Sequence, residues 1–173
     1  DGLAMITGSH NPPEYNGLKV GVGRTTLHGS GIQALRERIE AGRLAEGRGR
    51  LDDIDIVTPY RAYVRRNLCL GPRRLRVVVD AGNGTGGVVA VPLFQSLGVE
   101  VVPLFTEMDG RFPNHHPDPT VERNLDALKA AVVESGADLG VAYDGAADRV
   151  GAVDEHGNLP WGDQLMILFS RAL

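Results

Sequence analysis

The chain has 173 residues, enough for one full hydrophobic core or for one domain with part of another. Hydrophobic residues make up 42% and charged residues 23%, the balance of a soluble globular protein, and the net charge of −4 argues against nucleic acid or a membrane surface as the main partner. A single cysteine, Cys69, excludes an internal disulfide and suits a reducing, cytoplasmic setting, and no apolar run approaches the roughly 18 residues of a membrane span. The chain opens at Asp1 without a signal-peptide pattern and ends inside an apolar, helix-like stretch from Gln164 to Leu173. Both ends read as cut, so a piece of a longer protein is expected.

In chain order, the apolar run Leu3 to Ile6 reads as a strand, and Leu18 to Val22 as a second strand that carries Lys19. Between them lies Thr7-Gly-Ser-His-Asn-Pro-Pro-Glu-Tyr-Asn-Gly17, in which Gly8 permits a tight turn, Ser9 offers a hydroxyl at its tip and the two prolines stiffen the exit. Ile32 to Ala41 has helical spacing, with Ile32, Leu35 and Ile39 on the expected buried face. Arg43 to Asp53 is charged and glycine-rich, a surface connection. Pro59 to Leu70 reads as a helix with Tyr60, Tyr63, Val64 and Leu68 inward, stopped by Gly71-Pro72.

From Leu75 strands and helices alternate. Leu75 to Val79 is a compact apolar run of the kind buried in a parallel sheet, Asp80 to Gly87 a glycine-rich turn, Val88 to Leu97 a helix and Val99 to Phe105 a strand. A long polar loop holds Asn114, His115, His116 and Asp118; the adjacent histidines share no face and read as surface residues rather than a metal pair. Val121 to Ser135 is a helix with Leu125, Leu128 and Val132 at its spacing, and Leu139 to Tyr143 and Val150 to Val153 are strands. The fold class is therefore α/β: a layered α/β/α domain on a mixed four-stranded sheet, with a partial domain of the same kind before it.

Chemistry concentrates in two loops. The first holds Ser9 and His10; a Ser-His pair on a turn is compatible with a nucleophile and equally with ordinary turn chemistry. The second is Asp144-Gly-Ala-Ala-Asp148-Arg149, where two carboxylates on a small-residue loop at a strand end can converge on one hard cation such as Mg²⁺, and the arginine can hold a phosphate. A rival motif is Gly82-Asn-Gly84-Thr-Gly-Gly87, which has dinucleotide-binding spacing, with Glu100 about 20 residues further on. Glu100, however, opens its strand, whereas a ribose-binding acid follows the strand's far end.

Ser9-His-Asn-Pro-Pro-Glu-Tyr-Asn-Gly-Leu-Lys19 resembles the phosphoserine loop of the α-D-phosphohexomutases, in particular their bacterial phosphomannomutase/phosphoglucomutase branch. Val77-Val-Val-Asp-Ala-Gly-Asn-Gly84, Asp109-Gly-Arg-Phe-Pro-Asn-His-His-Pro-Asp-Pro119 and Gly162-Asp-Gln-Leu165 extend the resemblance along the chain. It implies the end of a first domain over residues 1–55, a second domain over 56–158 and the start of a third over 159–173. It also implies an enzyme that interconverts hexose 1- and 6-phosphates of mannose or glucose through a 1,6-bisphosphate, which also serves as activator. In that scheme Ser9 carries the phosphoryl group, and Asp144, Asp148 and the phosphate on Ser9 hold Mg²⁺. His10 or Lys19 handles the proton, while Asn11, Lys19 and Arg149 bind substrate. The resemblance further implies small-molecule hexose phosphates as partners and a monomeric full-length protein, and the net charge leaves no nucleic acid and no membrane expected as partner. The family's metal loop reads Asp-Gly-Asp-Gly-Asp-Arg; here Ala146 stands in place of the middle aspartate, so weaker metal binding is expected.

Overall fold

The computed structural model describes residues 1–8, 11–12 and 14–172. It contains two compact units, one made of Asp1–Gly8 with Asn16–Asp55 and a larger one built from Ile56 onward. In the smaller unit, β1 (Gly2–Ile6) pairs antiparallel with β2 (Leu18–Val22), Gly2 facing Val22 and Ile6 facing Leu18. A two-residue hairpin beginning at Gly23, φ 59°, returns the chain as β3 (Thr25–Thr26), a strand too short to leave a periodic signal in the sequence.

Helix α1 (Ser30–Glu40) forms where its apolar spacing predicts. Its expected inner face is only partly covered: Leu35 is half-buried, whereas Ile32 and Ile39 are 49% and 55% exposed. Two five-residue strands and a two-residue one cannot cover a helix of three turns. Residues 43–56 have no regular structure and are exposed, as a surface connection should be.

The larger unit begins with α2 (Val57–Asn67), with Pro59 in its first turn. Here the expected inner face is corrected. Tyr60, Tyr63 and Leu68 are half or more exposed, and the partly buried stripe is Val57, Arg61 and Val64. Both stripes have helical spacing, and the aliphatic stem of Arg61 completes the inner one despite its charged end.

The sheet follows as β4 (Arg76–Asp80), α3 (Gly86–Ser96), β5 (Glu100–Leu104), a 3-10 turn (Glu122–Leu125), α4 (Asp126–Ser135), β6 (Leu139–Tyr143) and β7 (Val150–Asp154), and α5 (Gly162–Ala172) closes the unit. Strand order is β5-β4-β6-β7, with β4 parallel to β5 and β6, and β7 antiparallel to β6. This is the mixed four-stranded sheet expected. β4 is apolar at successive positions because both of its faces are buried. Val77 and Val79 pack with Ala90 and Val99 on the α3 side. Val78 packs with Leu125, Leu128, Val132, Ala142 and Val153 on the α4 side. The apolar trio of the fourth helical segment is thus the heart of one layer, each member about 1.5–3 kcal/mol of burial.

Candidate functional site

Because β4, β5 and β6 are parallel, the loops leaving them, residues 81–85, 105–121 and 144–149, share one edge of the sheet. The chain leaves β4 toward β5 on one side and later returns to β6 on the other. The crevice between the ends of β4 and β6 is therefore a topological switch point, where open α/β sheets bind ligands. The glycine turn and the Asp144 loop meet there. Thr85 donates to the Gly145 carbonyl through its backbone N–H at 3.1 Å and its hydroxyl at 3.2 Å. Gly84 lies so close that a Cβ on it would stand 2.7 Å from the Gly145 oxygen.

Asp144 is completely buried at the end of β6 and organises its own loop. Its Oδ1 accepts the backbone N–H groups of Asp148 at 2.9 Å and Arg149 at 3.0 Å, and its carbonyl accepts that of Ala147 at 2.9 Å. The turn is tight enough to hold Ala147 at φ 57°, a region that costs a non-glycine residue about 1–2 kcal/mol. The guanidinium of Arg149 faces Asp144 Oδ2 at 3.2–3.3 Å and reaches Asp118 Oδ1 at 3.5 Å. Asp118 is itself oriented by Thr120, whose N–H and hydroxyl donate to Oδ1 at 3.0 and 2.7 Å.

Of the residues singled out in the sequence, Asp144, Asp148 and Arg149 come together, with Asp148 exposed and Arg149 half-buried. Asn11 is exposed, and Lys19 is exposed on β2 in the smaller unit, where it borders a cavity of about 330 Å³ with Leu18, Val20 and Leu35. Ser9 and His10 lie outside the described residues.

His115 departs from the surface reading: its side chain is 14% exposed and sits against the buried Asp80 carboxylate at 2.9 Å. That hydrogen bond raises the proton affinity of His115 above the ordinary histidine range, outweighing the opposing effect of burial. Asp80, Asn83, Thr85, His115 and Asp118 were not predicted as site residues. The only sequence hint was a cluster of polar residues directly after apolar strands. The glycines of the rival motif have a packing explanation: Gly84 abuts Gly145, and a Cβ on Gly87 would stand 2.2 Å from the Thr106 carbonyl oxygen. Glu100 pairs with Arg76 at 2.7 Å at the opposite edge of the sheet, far from any phosphate cradled by that turn.

The profile of phosphoglucomutase/phosphomannomutase α/β/α domain II matches residues 59–157, and that of domain I matches residues 1–46. The chain belongs to the phosphoglucomutase/phosphomannomutase family. It is 48% identical to a phosphomannomutase/phosphoglucomutase of Pseudomonas aeruginosa, over 96% of this chain and 36% of that protein. It is 43% identical to a phosphoglucomutase of Neisseria meningitidis with the same coverage of both chains. A crystal structure of a phosphoglucomutase/phosphomannomutase family protein from Burkholderia thailandensis superposes with a TM-score of 0.89 at 41% identity, over 99% of this chain and 37% of the other. The chain thus spans little more than a third of the length of these relatives. Among its described residues no helix is long and apolar enough to cross a membrane.

The donor set of the Asp144 loop suits Mg²⁺, which is held by one or two carboxylates and completes its octahedron with water and phosphate oxygens. Asp144 Oδ1 is taken up by two backbone N–H groups. Oδ2 faces the Arg149 guanidinium at 3.2–3.3 Å, and Asp148 carries an exposed carboxylate. Ala146 offers none, and among the described residues no three His, Cys, Asp or Glu side chains gather into a metal set. The loop therefore fits a cation shared with a phosphate rather than an all-protein cage.

Proposed function

We propose that this chain carries the phosphoserine loop and the metal loop of a phosphohexomutase acting on mannose or glucose phosphates. The observation that carries the reading is the pairing of Ser9-His-Asn-Pro-Pro with Asp144, Asp148 and Arg149 in a chain 48% identical to a phosphomannomutase/phosphoglucomutase. Phosphoryl transfer depends mainly on positioning and on neutralising charge. The O6 hydroxyl of a hexose 1-phosphate attacks the phosphorus on Ser9. The O6–P bond forms as the Ser9 Oγ–P bond breaks, O6 loses its proton to His10 or Lys19, and Oγ regains one. After the 1,6-bisphosphate reorients, Ser9 takes back the phosphoryl group from O1, leaving the 6-phosphate and restoring the phosphoserine. Asn11 and Lys19 bind substrate, and Arg149 supplies a planar pair of donors for phosphate. Mg²⁺ bound by Asp144, Asp148 and a phosphoserine oxygen would supply compensating positive charge. Free 1,6-bisphosphate would act as activator by rephosphorylating Ser9.

Mass measurement of the intact protein purified from cells is expected to show one phosphoryl group, located on Ser9. In the longer protein that contains this chain, Ser9→Ala is expected to abolish most mutase turnover while leaving the fold intact. A fully active Ser9→Ala enzyme would overturn the reading. The 173-residue chain alone is expected to show no turnover.

A further inference from the structure

Both ring nitrogens of His115 face oxygen. Nδ1 lies 3.0 Å from the carbonyl of His116, which can only accept, so Nδ1 carries a proton. Nε2 lies 2.9 and 3.1 Å from the two oxygens of Asp80, and Asp80 Oδ1 also accepts the Gly82 backbone N–H at 2.8 Å. The arrangement that satisfies every group is an imidazolium donating from both nitrogens, paired with a carboxylate. Asp80 is completely buried and the His115 side chain is partly buried against it, which makes this an ion pair whose two halves depend on each other. Among the described residues, the charged group facing the ring is Asp80, from the end of β4. The Phe105 ring meets it edge-on with centroids 5.4 Å apart, Gly82 packs against Cε1, and His116 contributes its carbonyl.

The same His116 carbonyl accepts the backbone N–H of Asp118 at 2.8 Å, so one oxygen ties the ring of His115 to the residue that reaches Arg149. Pro117, between them, is fully buried against Gly82. A continuous path thus runs from Asp80 through His115 and the 116–118 turn to Asp118, Arg149 and Asp144. We propose that Asp80 and His115 are positioning residues for Arg149: their ion pair seats residues 115–118 on the glycine turn so that Asp118 stays within reach of the guanidinium, and loss of the His115 proton undoes that placement. The hydrogen bond to Asp80 raises the folded-state proton affinity of His115. The pair's contribution is accordingly complete below the unfolded value of about 6.5 and is lost as pH rises through the higher folded-state value. The proposal rests on the mutase reading only for what Arg149 binds.

The test is an NMR pH titration of the 173-residue chain, following imidazole Cε1–H and arginine Nε–H signals, with His115 assigned through His115→Gln and Arg149 through Arg149→Lys. The His115 midpoint is expected above about 6.5 and should fall in Asp80→Asn. The Arg149 Nε–H signal should shift with the same midpoint as His115. His115→Gln retains a donor for Asp80 but no charge, so in that variant the Arg149 signal should lose this pH dependence; it serves equally if Asp80→Asn does not fold. A His115 midpoint at or below the ordinary value, an Arg149 signal that ignores the His115 titration, or one that keeps its midpoint in His115→Gln would each overturn the proposal. These signals report geometry rather than turnover, so the outcome is separate from that of the Ser9 experiment.

Discussion

Gly84→Ala probes the contact that seats the Asp144 loop. Gly84 is not among the positive-φ glycines, so alanine meets no dihedral penalty there and the cost comes from collision alone. An added Cβ would lie 2.7 Å from the Gly145 oxygen, 2.8 Å from its Cα and 3.1 Å from its carbonyl carbon, against 3.4 Å or more for ordinary contact. All three atoms are backbone, so no flexible side chain can swing aside, and the two loops must part by about 0.5–1 Å. Overpacking of this kind costs roughly 1–3 kcal/mol. The separation also stretches the two hydrogen bonds from Thr85 to the Gly145 carbonyl, worth about 0.5–1.5 kcal/mol each. The total expected loss is about 2–6 kcal/mol, read from urea unfolding of the larger unit by circular dichroism. Gly110→Ala is the control, since nothing lies within 4 Å of its Cβ position, and it should stay within about 0.5 kcal/mol of the parent. A Gly84→Ala protein as stable as the Gly110→Ala control would refute the backbone-to-backbone contact, and with it the placement of the Asp144 loop against the glycine turn.

Leu128→Ala, at a fully buried position on α4, should cost about 2–5 kcal/mol in the same unfolding experiment; a loss under about 1 kcal/mol would mean that α4 does not pack on β6 as described. Ala146→Asp, compared with the parent by calorimetric Mg²⁺ titration with Ser9 phosphorylated in both, should tighten binding about 10-fold or more, because even an indirect supporting group is commonly worth about 10–100-fold. Equal binding would mean that another group already fills the position of the missing carboxylate, and weaker binding would remove Asp144 and Asp148 as the metal ligands.

The strands and helices of the larger unit could be read from pattern because their signals are local. Val77 to Val79 is apolar at consecutive positions, as a strand covered on both faces must be, and Leu125, Leu128 and Val132 repeat at the helical period. Pattern failed where it was ambiguous or too short. α2 carries two apolar stripes, and the one with the tyrosines faces solvent, while β3 is two threonines long. Asp144, Asp148 and Arg149 were accessible for the same local reason, lying within six consecutive residues.

What sequence order alone established about this protein was the class of fold, the order of its elements, and the loops that carry a hydroxyl, two carboxylates and an arginine. Which of those groups meet, and what surrounds them, came from the parallel register of β4, β5 and β6, which carries three loops to one edge. Asp80 and His115 are 35 residues apart, Asp118 and Arg149 are 31 apart, and Thr85 and Gly145 are 60 apart. No periodicity or composition encodes such pairings, because each depends on the pitch and order of strands whose side chains lie elsewhere. The same packing set His115, a surface-looking residue of a polar loop, against the buried Asp80, and made Asp144 the buried centre of its own turn.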